Sequence, residues 1–150
     1  MPKVQSHRDL IVWNKAMDLA VEVYRLTSSF PTSERYRLVD QLSRTAASIP
    51  TNIAEGQARS TAKDFAHFPS IARGSLMETQ TYLMLAVRLD YLTDTEAAAA
   101  LDLITEISRM LTALQKSLRA QQWRQRTVCR PLSTVSCALS PINQIVNEAA

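Results

Sequence analysis

His7 and His67 are the only histidines of the chain, and neither sits three or four residues from another strong ligand pair of the kind a helical metal site requires. Asp64 and His67 stand three apart, a spacing that on a helix usually makes a surface contact. Glu55 and Glu78 could face one another across two helices as a carboxylate pair. A ferritin-like two-metal centre, however, needs Glu-x-x-His motifs, and the chain contains none. Gly56 and Gly74 are the only glycines and stand alone, so there is no glycine-rich loop to cradle a phosphate. No serine or cysteine sits in a strained strand-to-helix turn that would expose a nucleophile. The sequence therefore reads as non-enzymatic, with no cofactor and no metal.

A different chemistry is written into Ser48–Gly56, Ser-Ile-Pro-Thr-Asn-Ile-Ala-Glu-Gly. At 100° per residue, Leu38, Leu42, Ala46, Ile49 and Ile53 share one helical face, with Gln41, Arg44, Ser48, Asn52 and Glu55 in the arc beside it. Short polar side chains of this kind suit close packing and interhelical hydrogen bonds. Ser48, Asn52, Glu55, Ser75 and Glu78 are the candidates for a polar network that sets helix or subunit register, as one buried polar residue does in coiled coils. The plainer alternative has Asn52 and Glu55 capping or bridging helix ends.

Cations supply the other candidate site. Arg109, Lys116 and Arg119 fall on one face of the last helical segment; Lys63, Arg73 and Arg88 fall on a common side of the third if a break at Pro69 is small; Arg37 and Arg44 share a stripe on the second. These eight could contact phosphates, although cations are common on any solvated helix face. Residues 7–120 hold 13 Lys and Arg against 13 Asp and Glu, so the net charge of +3 comes from the ends of the chain. A globally basic binding surface is not indicated. Trp13, Tyr24, Phe65 and Phe68 read as core-facing, which disfavours a base-stacking platform.

Four long helical segments must position these residues. The first opens after Asp9 as N-cap and runs to about Ser28, with one stripe of Leu10, Trp13, Met17, Ala20, Tyr24 and Thr27 and a second of Ala16, Leu19, Val23 and Leu26. Pro31 ends it, Thr32 caps the second, and Gly56 stops the second, with Pro50 bending it. Ser60 or Thr61 caps the third, which runs to about Asp90 with a kink near Phe65–Pro69. Thr93 and Glu96 form a capping box for the fourth, which reaches about Arg119 and carries two further apolar stripes. Short connections force antiparallel neighbours, giving an all-α, up-down-up-down four-helix bundle over residues 1–122. Residues 123–150 lose the period and read as a poorly ordered extension, with a short helix around 142–148 only weakly indicated. Cys129 and Cys137 fall in that extension, too few and too local to staple a secreted scaffold. No apolar run approaches a membrane span, so a cytoplasmic protein with reduced thiols is expected.

Asp9–Ala16, Phe30-Pro31 with Glu34, Ser48–Gly56 and Ile71–Glu78 recur in that order in a known family. Over residues 7–120 the chain resembles the bacterial four-helix-bundle proteins named for reading frames within intervening sequences of 23S ribosomal RNA. Accessory variability proteins of diversity-generating retroelements are relatives. Pro69 departs from the apolar residue usual at its place. The resemblance implies an antiparallel bundle assembled into a ring-shaped homopentamer. The retroelement relatives bind nucleic acid and a reverse transcriptase, so RNA or DNA and a reverse-transcriptase-like protein are the partners the resemblance suggests. The basic stripes such as Arg109, Lys116 and Arg119 lead to an expectation of weak, sequence-tolerant binding. A protein-interaction scaffold that binds no nucleic acid is the alternative.

Overall fold

The computed structural model describes residues 6–128 of the chain. Five helices follow one another: α1 (Ile11–Thr27), α2 (Leu38–Gln57), the single turn α3 (Ala62–Phe65), α4 (Phe68–Arg88) and α5 (Asp94–Val128). There is no strand among the described residues. Each long helix packs on two others: α1 on α2 and α5, and α4 on α2 and α5. Going round the bundle the order is α1, α2, α4, α5, so α1 and α4 occupy opposite corners. The antiparallel bundle is the expected one.

Its core is built from the stripes read in the sequence. Leu19, Leu42, Ile49, Leu76, Leu83 and Ile107 have no exposed surface. At about 25 cal/mol per Å² of apolar area removed from water, such burial is the main stabilising contribution to an all-helical fold of this size.

Helix ends depart from expectation where local hydrogen bonding wins. Asp9 does not cap α1. It closes a capping box with Ser6 around the 3₁₀ turn His7–Asp9, and Leu10 becomes the N-cap. Asn14 locks that junction by donating from Nδ2 to the carbonyls of Arg8 and Leu10, at 2.9 and 3.2 Å. Thr32 opens only a 3₁₀ turn, Thr32–Glu34, and α2 begins at Leu38 with Arg37 as its N-cap.

Gly56 does not stop α2. It lies inside the last turn, at negative φ, and the helix continues to Gln57. Its reason is proximity: a Cβ there would stand 2.7 Å from both Phe65 Cδ2 and Phe68 Cβ. Glycine lets α2 meet the α3–α4 junction.

Thr61 caps α3 as expected, accepting from the Asp64 amide at 3.1 Å while donating to Asp64 Oδ2 at 2.6 Å. The anticipated kink is a full break between Phe65 and Phe68. Pro69, buried, then occupies the first turn of α4, where its missing N–H has no helical partner to lose. At the other end of α4 the chain reverses through Asp90 at φ 57°, with Tyr91 N–H bonded to Ala86 O and Asp90 N–H to Val87 O, both at 3.0 Å. This is a Schellman closure with aspartate where glycine is usual.

The Thr93–Glu96 capping box is present: Thr93 N–H to Glu96 Oε2 is 2.8 Å and Glu96 N–H to Thr93 Oγ1 is 3.3 Å. Because α5 runs to Val128, it passes the boundary at residue 122 that the sequence suggests. Its 35 residues correspond to roughly 50 Å at 1.5 Å per residue, well beyond the reach of 21-residue α4. Cys129, Cys137 and the rest of the expected extension lie outside the described residues.

Candidate assembly and nucleic-acid surfaces

The polar seam lies between α2 and α4. Ser48 and Ser75 share a hydroxyl–hydroxyl bond of 3.0 Å across the two helices. Asn52 donates to Ser48 O at 2.7 Å and to Ser48 Oγ at 3.0 Å, so it steadies the serine from within its own helix. Three of the five network candidates are thus brought together. Glu55 and Glu78 are not: Glu55 turns outward to pair with Arg59, one helical turn on, and Glu78 is exposed away from the seam.

Two members of the seam, Thr45 and Thr79, escaped sequence reading, as did Gln115 at the α4–α5 interface. Thr79, fully buried, donates to Thr45 Oγ1 at 3.0 Å, and Thr45 passes its own proton to Gln41 O at 2.9 Å. Gln115 on α5 donates to Ser70 on α4 and is almost fully buried. The signal for Thr45 and Thr79 was available. Thr45 stands three residues before Ser48 and Thr79 four after Ser75, which places both pairs along one antiparallel seam.

Apolar surface is distributed less evenly than the stripes imply. The Ala16–Leu26 stripe of α1 is inside, but in the other stripe Met17 and Tyr24 are exposed, Tyr24 by 57%. Tyr24 is therefore not a core residue, and Phe68 is only half-buried, whereas Phe65 is buried. Both stripes of α5 face largely inward. The helix that instead exposes apolar side chains is α4, through Ile71, Met77, Met84 and Leu85, with Leu89 at its C-cap.

All eight candidate cations are exposed. Among the described residues only Arg37 of the eight has a carboxylate partner, Glu34 at 4.0 Å. The structure regroups them. Arg37 precedes α2 and so no longer shares a helical stripe with Arg44, and the break before α4 separates Lys63 from Arg73 and Arg88. Arg37 and Arg88 belong to the end of the bundle where α1 finishes. Lys63 on α3, with Lys116 and Arg119 on α5, belong to the opposite end. There α3 packs on α5, and Gln115 reaches Ser70 near the start of α4. Arg109, Lys116 and Arg119 keep a common face of α5, as their spacing requires.

The histidines have packing roles. His7 meets Trp13 edge to face with ring centroids 5.0 Å apart, and His67 meets Phe68 likewise at 6.0 Å. Resolved pKa shifts arise from local pairing: Arg25 holds the Glu22 carboxyl below its usual range by hydrogen bonding, and the Thr93 amide does the same for Glu96. Among the described residues no His, Cys, Asp or Glu cluster could hold a metal ion, and no helix is long and apolar enough to cross a membrane.

Residues 8–113, from the turn before α1 to the middle of α5, match the family of 23S rRNA-intervening sequence proteins. The chain belongs to this family. A solved structure supports the assignment: a protein of unknown function from the S23 ribosomal protein family of Bacteroides thetaiotaomicron superposes with a TM-score of 0.64 at 26% identity, over 71% of this chain and 99% of that one. No curated protein matches the chain. Family membership brings the fold with it; the family's role is not established.

Proposed function

We propose that this chain is a non-enzymatic structural protein that works as a homo-oligomer, a pentameric ring on the family resemblance, and presents nucleic acid with a repeated basic end. The observation that carries the reading is the apolar surplus of α1 and α4. The core of one protomer is complete, yet Met17, Val21, Tyr24, Ile71, Met77, Met84, Leu85 and Leu89 remain 39–66% exposed. An apolar surface spread over two helices is what a partner-binding surface looks like on a folded bundle.

Assembly also gives the cations a use. Lys63, Lys116 and Arg119 at one end of a neutral protomer make a weak phosphate contact. Repeating them around a ring multiplies that contact by avidity. A reverse-transcriptase-like partner, suggested by the retroelement relatives, would then be recruited to the same assembly.

Light scattering of the full chain tests the first half: the expected mass is several times 16.8 kDa, and a monomer at micromolar concentration would refute it. Titration of single-stranded RNA and DNA against the verified oligomer at two salt concentrations tests the second. Binding that falls steeply with salt supports it. A flat titration at low salt supports a protein scaffold that binds no nucleic acid, the reading favoured by the balance of charges over residues 7–120.

A further inference from the structure

The apolar surplus is divided between two helices at opposite corners of the bundle, and its two parts differ in shape. On α1, Trp13, Met17, Val21 and Tyr24 line an open groove of about 620 Å³, floored from α2 by Ala47, Pro50 and Ala54. Small residues make the floor and rings make the walls, so the surface is concave. On α4, Ile71, Met77 and Met84 share the outward arc with Gly74 and Thr81, and flexible methionine side chains make this face adaptable, while Leu85 lines a smaller groove of about 320 Å³ against Leu38 and Gln41 of α2.

Gly74 adds a separate indication. Glycine weakens a helix interior, and at Gly56 the close approach of Phe65 and Phe68 explains it. At Gly74 a Cβ would meet nothing within 4 Å. Nothing inside the protomer uses the space, which fits an outside backbone or side chain coming close there. Charges agree as well. Asp18, beside the exposed stripe of α1, makes no ion pair among the described residues, and neither does Arg73, which borders the α4 face.

A single self-complementary patch would form a two-fold dimer and leave the other face bare. Two unlike faces on opposite corners suit head-to-tail addition, in which every copy offers one face and receives the other. We propose that the α1–α2 groove of one copy receives the outer face of α4 from the next, with Met77 and Met84 entering beside Val21 and Tyr24. In the register that sets Met77 beside Val21, Asp18 then lies on the side of the neighbour's Arg73. This inference rests on the homo-oligomer reading and specifies its interface.

The test uses the full chain carrying Val21→Glu, which blocks the groove, or Met77→Glu, which blocks the α4 face. Each variant alone should run as a monomer in sedimentation with the helix content of the parent. An equimolar mixture, at the highest concentration where each alone stays monomeric, should form a 1:1 dimer of about twice 16.8 kDa. The intact groove of one variant then holds the intact α4 of the other, and growth stops there. A mixture that stays monomeric overturns the pairing of these faces, as does either variant alone keeping the parent's size. Tyr24→Arg and Met84→Arg form an independent pair should either first variant fail to fold. A monomeric parent protein would instead refute the homo-oligomer reading itself.

Discussion

The Thr79 hydroxyl donates to Thr45 Oγ1 across 3.0 Å at the α2–α4 interface, and the Ser48–Ser75 bond of equal length lies further along the same seam. Thr45 in turn donates to Gln41 O, so the buried hydroxyls form a short relay ending on backbone.

Removing both members of the relay should cost less than the two single removals added together. Thr79→Val leaves the Thr45 oxygen without its donor and is expected to destabilise by about 1 kcal/mol, with Thr45→Val costing less because the Thr79 hydroxyl can donate to Ser75 O at 2.9 Å. The double variant puts two β-branched apolar side chains face to face and should cost clearly less than the sum. Urea denaturation of all four proteins gives the cycle; simple additivity would show that the hydroxyls act independently.

The two glycines should respond to alanine with opposite signs. Gly56→Ala forces Phe68 Cβ to move and should cost roughly 1–3 kcal/mol, because the atom it meets sits against the backbone. Gly74→Ala meets open space and should gain about 0.5–1 kcal/mol for a dissociated protomer. Thermal unfolding at concentrations below assembly reports both.

Asp90 occupies the left-handed position of the α4 closure at φ 57°. Glycine carries no Cβ penalty there, so Asp90→Gly should stabilise by about 1 kcal/mol with the helix ending unchanged. An equal loss in denaturant midpoint would mean that the aspartate side chain makes a compensating bond.

Glu96 ties its capping contribution to pH. Its folded carboxyl is held low by the Thr93 amide and then the Thr93 hydroxyl. The contribution should therefore be complete above the unfolded value of about 4.3 and disappear as pH falls through the lower folded value. The stability difference between the parent and Glu96→Ala should shrink on acidification across that window. A difference independent of pH would assign the cap to shape alone.

Charge reversal should separate the two ends of the bundle. Lys116→Glu with Arg109→Glu is expected to weaken nucleic-acid binding for all sequences alike and to lower the salt slope by roughly one per lost phosphate contact. Arg37→Glu with Arg88→Glu, near the other end, should change little. Equal loss from both pairs would place the contact elsewhere.

The elements and their antiparallel order were legible because three-four spacing, prolines and capping boxes are local signals. Thr93-Asp94-Thr95-Glu96 announces the start of α5 without help from the rest of the chain. Ser48 and Ser75 could be paired because helical spacing places them on matching faces. Helix ends were less legible: Asp9 went to a 3₁₀ turn and Arg37 became a cap, since competing local bonds differ little in energy.

What the sequence could not decide is which apolar stripe goes inside. Both α1 and α5 carry two mainly apolar stripes, and in α1 Leu10 and Ala20 are buried while Met17 and Tyr24 of the same stripe are exposed. Each helix has only two neighbours in a four-helix arrangement, so burial depends on the order round the bundle rather than on the residues themselves. That order covers α5 and leaves Tyr24, Val21 and Met77 facing outward. It also converts Gly56 from a helix stop into a point of close approach, because Phe65 and Phe68 arrive there only when the chain has folded. Local spacing determined the helices of this protein; the cyclic order of their packing determined its surface.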